Sequence, residues 1–374
     1  IPSGNPGEFN ALTYQLRQGI AGTVYVRELQ ITRERPPLPW QVRTILRSLL
    51  RSVRRWIEVR VSQNASGQAA SVLVGMLTGN RAFLAEETED VFRRTGISHL
   101  LSVSGFHVSL IAGVSLVVAS LLGFKQRFRL AFSLLWVWVF VAVAGGRPSA
   151  LRAGIMASLG TVAYALHRRV DPLHFWALAG IILLCMNPLW LYDVGWQLSF
   201  AATGSILLWL RVWRPVFETA RRWYSGVLLL CGISAAAQLV TAILVVYYFN
   251  ELSVAGIVVN WIVVPLAGPV LALGAVGVLL SALWAPAGGM LIRLAGLLVE
   301  GALPLLGWIA EQPWSAVELA APGPATAVGW GLFAIGLPLS FQQGAPRMNS
   351  WGRRACVLAA FLFAFAAWEP IVQE

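Results

Sequence analysis

The sequence predicts an all-α polytopic membrane protein of about ten transmembrane helices. Three observations carry that expectation. Hydrophobic residues make up 57% of the chain and charged residues only 12%, with a mean hydropathy of +0.68, whereas soluble domains carry about 25% charged residues. Apolar stretches of about 20 residues, enough to cross a bilayer core, recur from Ile97 onward. The basic residues of the connecting loops fall on alternate sides of those stretches.

Residues 1–38 are polar and mixed, and VYVREL alternates like a half-buried strand. They read as the C-terminal part of a small soluble domain, and the start at Ile1 reads as mid-domain, so the chain is treated as a fragment. Residues 39–95 read as amphipathic interfacial helices. After the break Arg35–Pro39, one helical face collects Val42, Ile45, Leu46, Leu49, Leu50 and Val53. Arg43, Arg47, Arg51, Arg54 and Arg55 stand opposite. Lipid head-group binding is the simplest role for such a stripe, with direct nucleic-acid contact the other reading. Ala65–Thr78 is apolar but too short to span, and Arg81–Arg94 is amphipathic with both signs of charge.

Residues 96–374 form the predicted transmembrane domain. The candidate spans are 97–122, 127–145, 148–166, 171–187, 190–211, 226–249, 253–284, 289–311, 325–343 and 351–369. The seventh is too long and holds Pro265 and Pro269, which predicts a broken or re-entrant helix. Lys125/Arg127/Arg129, Arg168/Arg169, Arg211–Arg222, Arg293 and Arg347–Arg354 occupy alternate loops. The positive-inside rule makes those loops cytoplasmic, which puts residues 1–95 and the C-terminus on the extracytoplasmic side.

Net charge is +11, and Lys125 is the single lysine. Cys185, Cys231 and Cys356 sit singly in apolar runs and read as small buried hydrophobes. Phe124-Lys125-Gln126 lacks the Gly-Lys-Ser/Thr of a Walker loop, and neither HxHxDH nor HExxH occurs. ATP binding by that route and a hydrolytic zinc centre are therefore not expected, and no cofactor is predicted.

The densest polar cluster is Thr95–Gly113, TGISHLLSVSGFHVSLIAG, which is apolar overall yet carries His99 and His107. Polar groups within lipid are costly unless paired or wet, which marks a site, but Ser and Gly are also ordinary packing residues between membrane helices. Read as one continuous helix, the stretch places Ser98, Ser102, Gly105, Ser109 and Gly113 on one arc, a small-residue packing seam. Ser104 and His107 lie on the other side, as neighbours. His99 and His107 would be about 12 Å apart along the axis, too far for one metal ion. The hydrolase reading of Ser104 is weak, because a histidine three residues on in the same helix cannot easily reach it as a base.

Arg147 and Arg152, in GGRPSALR, lie at an extracytoplasmic helix start, where the positive-inside rule does not want them. Pro148 suits a first helical turn, whose free N–H groups favour anions. A phosphate-like site and a pair of arginines reaching head groups, Asp193 or Glu86 are both open. Gln197, Ser199, Gln238, Glu251 and Asn260 add further polar groups to the apolar region.

HLLSVSGFHVSLIAG, with LTGNR and TGISH before it, resembles the signature of the ComEC competence proteins, bacterial DNA-uptake channels. The resemblance continues through GGRPSALRAGIMASL, NPLWLYDVGWQLSF and AAQLVTAILVVYYFNELSVAGIVVNWIVVPL, over about residues 70–285. NPGEFNALTYQLRQGIAGTV is similar to the end of the oligonucleotide-binding (OB-like) domain preceding the channel in that family, which makes residues 1–38 its β remnant. The resemblance implies an inner-membrane channel passing single-stranded DNA into the cytoplasm during natural transformation. It also implies membrane lipids, an extracytoplasmic DNA receptor and a cytoplasmic DNA-handling ATPase as partners. The family-signature positions that carry over are His99, Ser104, Gly105, His107, Arg147, Pro148, Ser149, Arg152, Gln197, Ser199 and Asn260, all but Pro148 read as lining the DNA path. The chain departs from the pattern at Ser102, Trp196 and Ala242-Ile243. Family members often add a metallo-β-lactamase-like nuclease domain, and this chain ends before one, so no nuclease activity is expected of it. A transporter of another polyanionic or lipid-linked substrate is the alternative.

Overall fold

The computed structural model describes residues 38–219 and 222–340, together with Arg354 and Leu358. The predicted OB-like remnant (residues 1–38), Leu38 excepted, and the tenth predicted span (351–369), Arg354 and Leu358 excepted, lie outside them. The helices are α1 (Leu38–Asn64), α2 (Gly67–Thr78), α3 (Glu86–Arg94), α4 (Gly105–Leu121), α5 (Gln126–Val143), α6 (Pro148–Ala165), α7 (Pro172–Met186), α8 (Val194–Thr219), α9 (Arg222–Phe249), α10 (Gly256–Ser281), α11 (Ala285–Ala310) and α12 (Pro324–Ser340). Two strands, β1 (Glu251–Ser253) and β2 (Ala316–Glu318), pair antiparallel with Leu252 opposite Val317.

The main core surrounds α2. Its residues Ala69–Thr78 are all buried, and Leu73 and Val72 pack with Leu271, Val278 and Ile292 from α10 and α11. The short apolar segment is therefore a central helix. It does not need to span, because protein surrounds it. A second core joins α4, α5 and α6 through Val108, Val137, Val141 and Ala150. Helices α7, α8, α9 and α12 complete the bundle beyond α6.

Four helical segments among the described residues are long and apolar enough to cross a membrane: Gln126–Val143, Cys231–Phe249, Gly256–Ser281 and Ala285–Ala310. The other predicted spans with described residues are helical too, but α4 and α7 have only 17 and 15 residues. At 1.5 Å per residue they fall at or below the usual crossing length. α10 runs unbroken from Gly256 to Ser281 with Pro265 and Pro269 inside it, so the expected broken or re-entrant helix is corrected to a continuous one. Proline removes one backbone donor, but packing against α2, α4 and α11 holds the helix together. Pro148 opens α6 at its first turn, as expected.

One end of the bundle gathers the loops 93–96, 143–147, 250–256 and 312–319. Arg93 pairs with Glu251, Ser253 Oγ donates to the Arg94 carbonyl at 2.7 Å, and the Val254 N–H donates to the Ser315 carbonyl at 3.0 Å. The opposite end carries Gln126 against Tyr164 (3.4 Å) and the Arg211–Asp171 ion pair (3.2 Å).

Candidate functional site

The stretch 95–113 does not form one helix. A 3₁₀ turn, Ser98–Leu101, is followed by extended backbone at Ser102 and Ser104, and α4 starts at Gly105. The unwound carbonyls are satisfied from elsewhere. Ser149 Oγ donates to the Val103 carbonyl at 2.8 Å, and Arg81 donates to the carbonyls of Leu101 (3.4 Å) and Ser98 (3.3 Å). Buried backbone polar groups need such partners, which is why a break here is held by side chains from α6 and the 79–85 loop.

The break dissolves the predicted packing seam. Ser98 and Ser102 now belong to a different element from Ser109 and Gly113, which are exposed, and a Cβ on Gly113 would meet nothing within 4 Å. Gly105 alone makes a close approach, to Arg152. The close glycine contact lies between α10 and α11 instead: a Cβ on Gly277 would stand 3.0 Å from the Gly288 carbonyl oxygen.

Ser104 is the N-cap of α4, and it does reach His107. The Ser104 N–H donates to His107 Nδ1 at 3.4 Å, and Ser104 Oγ lies 3.0 Å from the same nitrogen, a capping box closed by histidine. A backbone N–H can only donate, so Nδ1 accepts and the ring proton sits on Nε2. The expectation that a histidine three residues on in the same helix cannot easily reach the serine is corrected, because the N-cap stands outside the helix. His107 is fully buried, so it does not line an open path; His99 is exposed and Ser104 half-buried.

Arg152 is the central feature. Its side chain enters the bundle from α6 and is 95% buried, and Nη1 donates to the Ser199 carbonyl and the Thr203 hydroxyl of α8. The guanidinium carbon stands 5.7 Å from the centre of the Phe200 ring. Among the described residues no Asp or Glu oxygen lies within 4.0 Å of it, so the reading that pairs it with Asp193 or Glu86 does not hold. Arg147 stays at the rim, where Nη2 donates to the Gly79 carbonyl at 2.8 Å. Gly79 ends α2 with φ +72°, a left-handed C-cap that turns this carbonyl toward α6. Arg54 of α1 joins them: Nε donates at 3.0 Å to the Val143 carbonyl at the end of α5, where helix carbonyls favour a cation.

The remaining predicted residues scatter. Gln197 is held by the Leu191 carbonyl (2.9 Å) and the Tyr248 hydroxyl (2.9 Å), and Gln238 donates to the Ser253 carbonyl at 3.0 Å. Asn260 Oδ1 is buried on α10 without a hydrogen bond among the described residues. Beside Phe200 an apolar cleft of about 450 Å³ is lined by Trp176, Gly180, Leu184, Trp196, Phe200 and Leu244. Trp196 stacks on Phe200 at 4.4 Å. Sequence reasoning missed Thr203, Phe200 and Arg54's role as a cap. Thr203 is detectable as the residue four beyond Ser199 on one helical face; the other two have no local signal.

Apolar helices packed around a buried guanidinium define an all-α membrane protein. The chain belongs to the Competence protein family, whose profile matches residues 76–343. It is 27% identical over 320 residues to ComE operon protein 3 of Bacillus subtilis, covering 85% of this chain and 39% of that protein. It is 27% identical over 296 residues to Recombination protein 2 of Haemophilus influenzae, covering 75% of this chain and 36% of that protein. An uncharacterized Escherichia coli protein, YcaI, is 24% identical over 255 residues, covering 64% of this chain and 32% of that protein. The chain thus spans under two fifths of the length of these relatives. No solved structure matches it.

Proposed function

We propose that this chain forms the passage by which single-stranded DNA crosses the bacterial inner membrane during natural transformation. The observation that carries this reading is Arg152, a buried cation with no carboxylate partner among the described residues, in a chain of the competence family. Each nucleotide brings one phosphate charge that cannot cross hydrocarbon unassisted. Entry is on the extracytoplasmic side near Arg147 and Arg152, with residues 1–95 outside and about ten helices spanning. The chain works with an extracytoplasmic DNA receptor and a cytoplasmic DNA-handling ATPase.

The test replaces Arg147 and Arg152 together by alanine and measures transformation at matched membrane protein levels. Uptake is expected to fall at least tenfold; unchanged uptake at normal abundance would overturn the assignment. The cleft beside Trp176 and Trp196 favours one other reading, a lipid-linked polyanion whose chain lies in that cleft. A reconstituted transport assay that offers both substrates separates them.

A further inference from the structure

Arginine carries five N–H donors, and Arg152 uses only part of them. Nη1 serves Ser199 and Thr203, while Nε is buried without a hydrogen bond. Nη2 donates no hydrogen bond among the described residues and lies 2.9 Å from where a Cβ on Gly105 would stand. A guanidinium buried in this way, with its charge uncompensated, is costly unless an anion meets it.

Gly105 is also the first residue of α4, a helix of 17 residues. The first N–H groups of a helix have no partner within it, and together they form its positive end. The His107 amide is met by Ser104 in the capping box, which leaves those of Gly105 and Phe106 without intrahelical acceptors. Arg152 therefore brings a second positive group to a helix terminus that is already positive. Two such features repel unless something negative lies between them. The missing Cβ at Gly105 lets Nη2 come up against the start of α4, and Ser104 and Gly105 are partly exposed, so the point is reachable from outside the core.

We infer that Arg152 and the N-terminus of α4 form a binding site for one phosphate group, with Gly105 as the residue that lets the guanidinium approach the helix terminus. Under the proposed function, on which the source of the group rests, it is a backbone phosphodiester of the passing strand, and free phosphate is the other source. Charge-assisted contacts from a guanidinium and from helix-terminal amides are the usual way proteins hold that group.

The test uses the whole chain in nanodiscs, with fluorescein-labelled oligo(dT) and, separately, inorganic phosphate followed by calorimetry. Gly105→Ala places a methyl against the far end of a flexible side chain, so the fold is expected to survive while the guanidinium is displaced from the helix terminus. Gly105→Ala and Arg152→Gln should each weaken oligonucleotide binding about tenfold. Each should also lower the slope of log affinity against log salt by about 0.7, the value for one lost phosphate contact on a single strand. Arg152→Lys keeps the charge but loses the fork, and should recover the slope better than the affinity. If the oligonucleotide binds and neither Gly105→Ala nor Arg152→Gln changes the slope, the site is wrong and the DNA reading stands. If wild type binds phosphate but no oligonucleotide, and Arg152→Gln abolishes phosphate binding, the site stands and the DNA reading falls. Binding of neither probe by wild type overturns both.

Discussion

Glycine illustrates how a residue's role depends on its surroundings. Gly96 has φ +72°, and a Cβ there would lie 2.9 Å from the Gly256 Cα. Gly96→Ala should therefore destabilise the protein by about 2 kcal/mol or more, combining left-handed strain with a backbone clash. Gly113 is helical, exposed and surrounded by open space. Gly113→Ala should be neutral or stabilising by up to about 1 kcal/mol. Thermal unfolding in detergent measures both, and a seam through Gly113 would be rescued if its alanine variant proved as damaging as that of Gly96. Arg152 was visible in the sequence because it breaks the positive-inside pattern. Its partners were not visible, because the Ser199 carbonyl and the Phe200 ring come to it only through the packing of α6 on α8.

Among the elements, helix positions were highly legible. Predicted spans 127–145, 148–166 and 289–311 match α5, α6 and α11 to within four residues at each end, because apolar length is a local property. The break at 102–104 was not legible. What holds it open, Ser149 and Arg81, lies 46 and 20 residues from the carbonyls they satisfy, and no periodicity within 95–113 records them. The continuity of α10 was misjudged for a related reason, since proline's local cost is offset by neighbours that the segment itself does not encode. Helix α2 was legible as apolar but not as central. Leu73→Ala, at a fully buried position between α10 and α11, should cost about 3 kcal/mol. A loss in thermal stability no larger than that of an exposed-site control such as Leu121→Ala would show that α2 is not the core helix described.

At the scale of the whole molecule, the alternating loops make a claim about sidedness that the bundle's two ends turn into an experiment. Single cysteines at Glu318 and at Arg168, in a chain whose Cys185, Cys231 and Cys356 are replaced, should react with an impermeant maleimide from opposite sides. Glu318 should label in intact spheroplasts and Arg168 only after lysis. The reverse pattern would invert the topology, and labelling of both from one side would break it. The Arg93–Glu251 pair joins α3 to β1 across 158 residues, and the charge swap Arg93→Glu with Glu251→Arg should restore what either single change loses. For a half-exposed pair that coupling is below about 1 kcal/mol, and a double-mutant cycle on melting temperature reads it.

The β1–β2 ladder has a consequence of its own. Three residues on each side link the turn after α9 to the turn after α11, and Asn250 extends the link, its carbonyl accepting the Leu319 N–H at 2.9 Å. A hydrogen-bonded clasp of this kind does not depend on the peptide bonds beside it. A protease cut in the exposed turn 282–284, between α10 and α11, would sever the polypeptide between the two strands while leaving β2, and with it α11, fastened to β1. The two pieces should then migrate together in native gels and separate only when denatured.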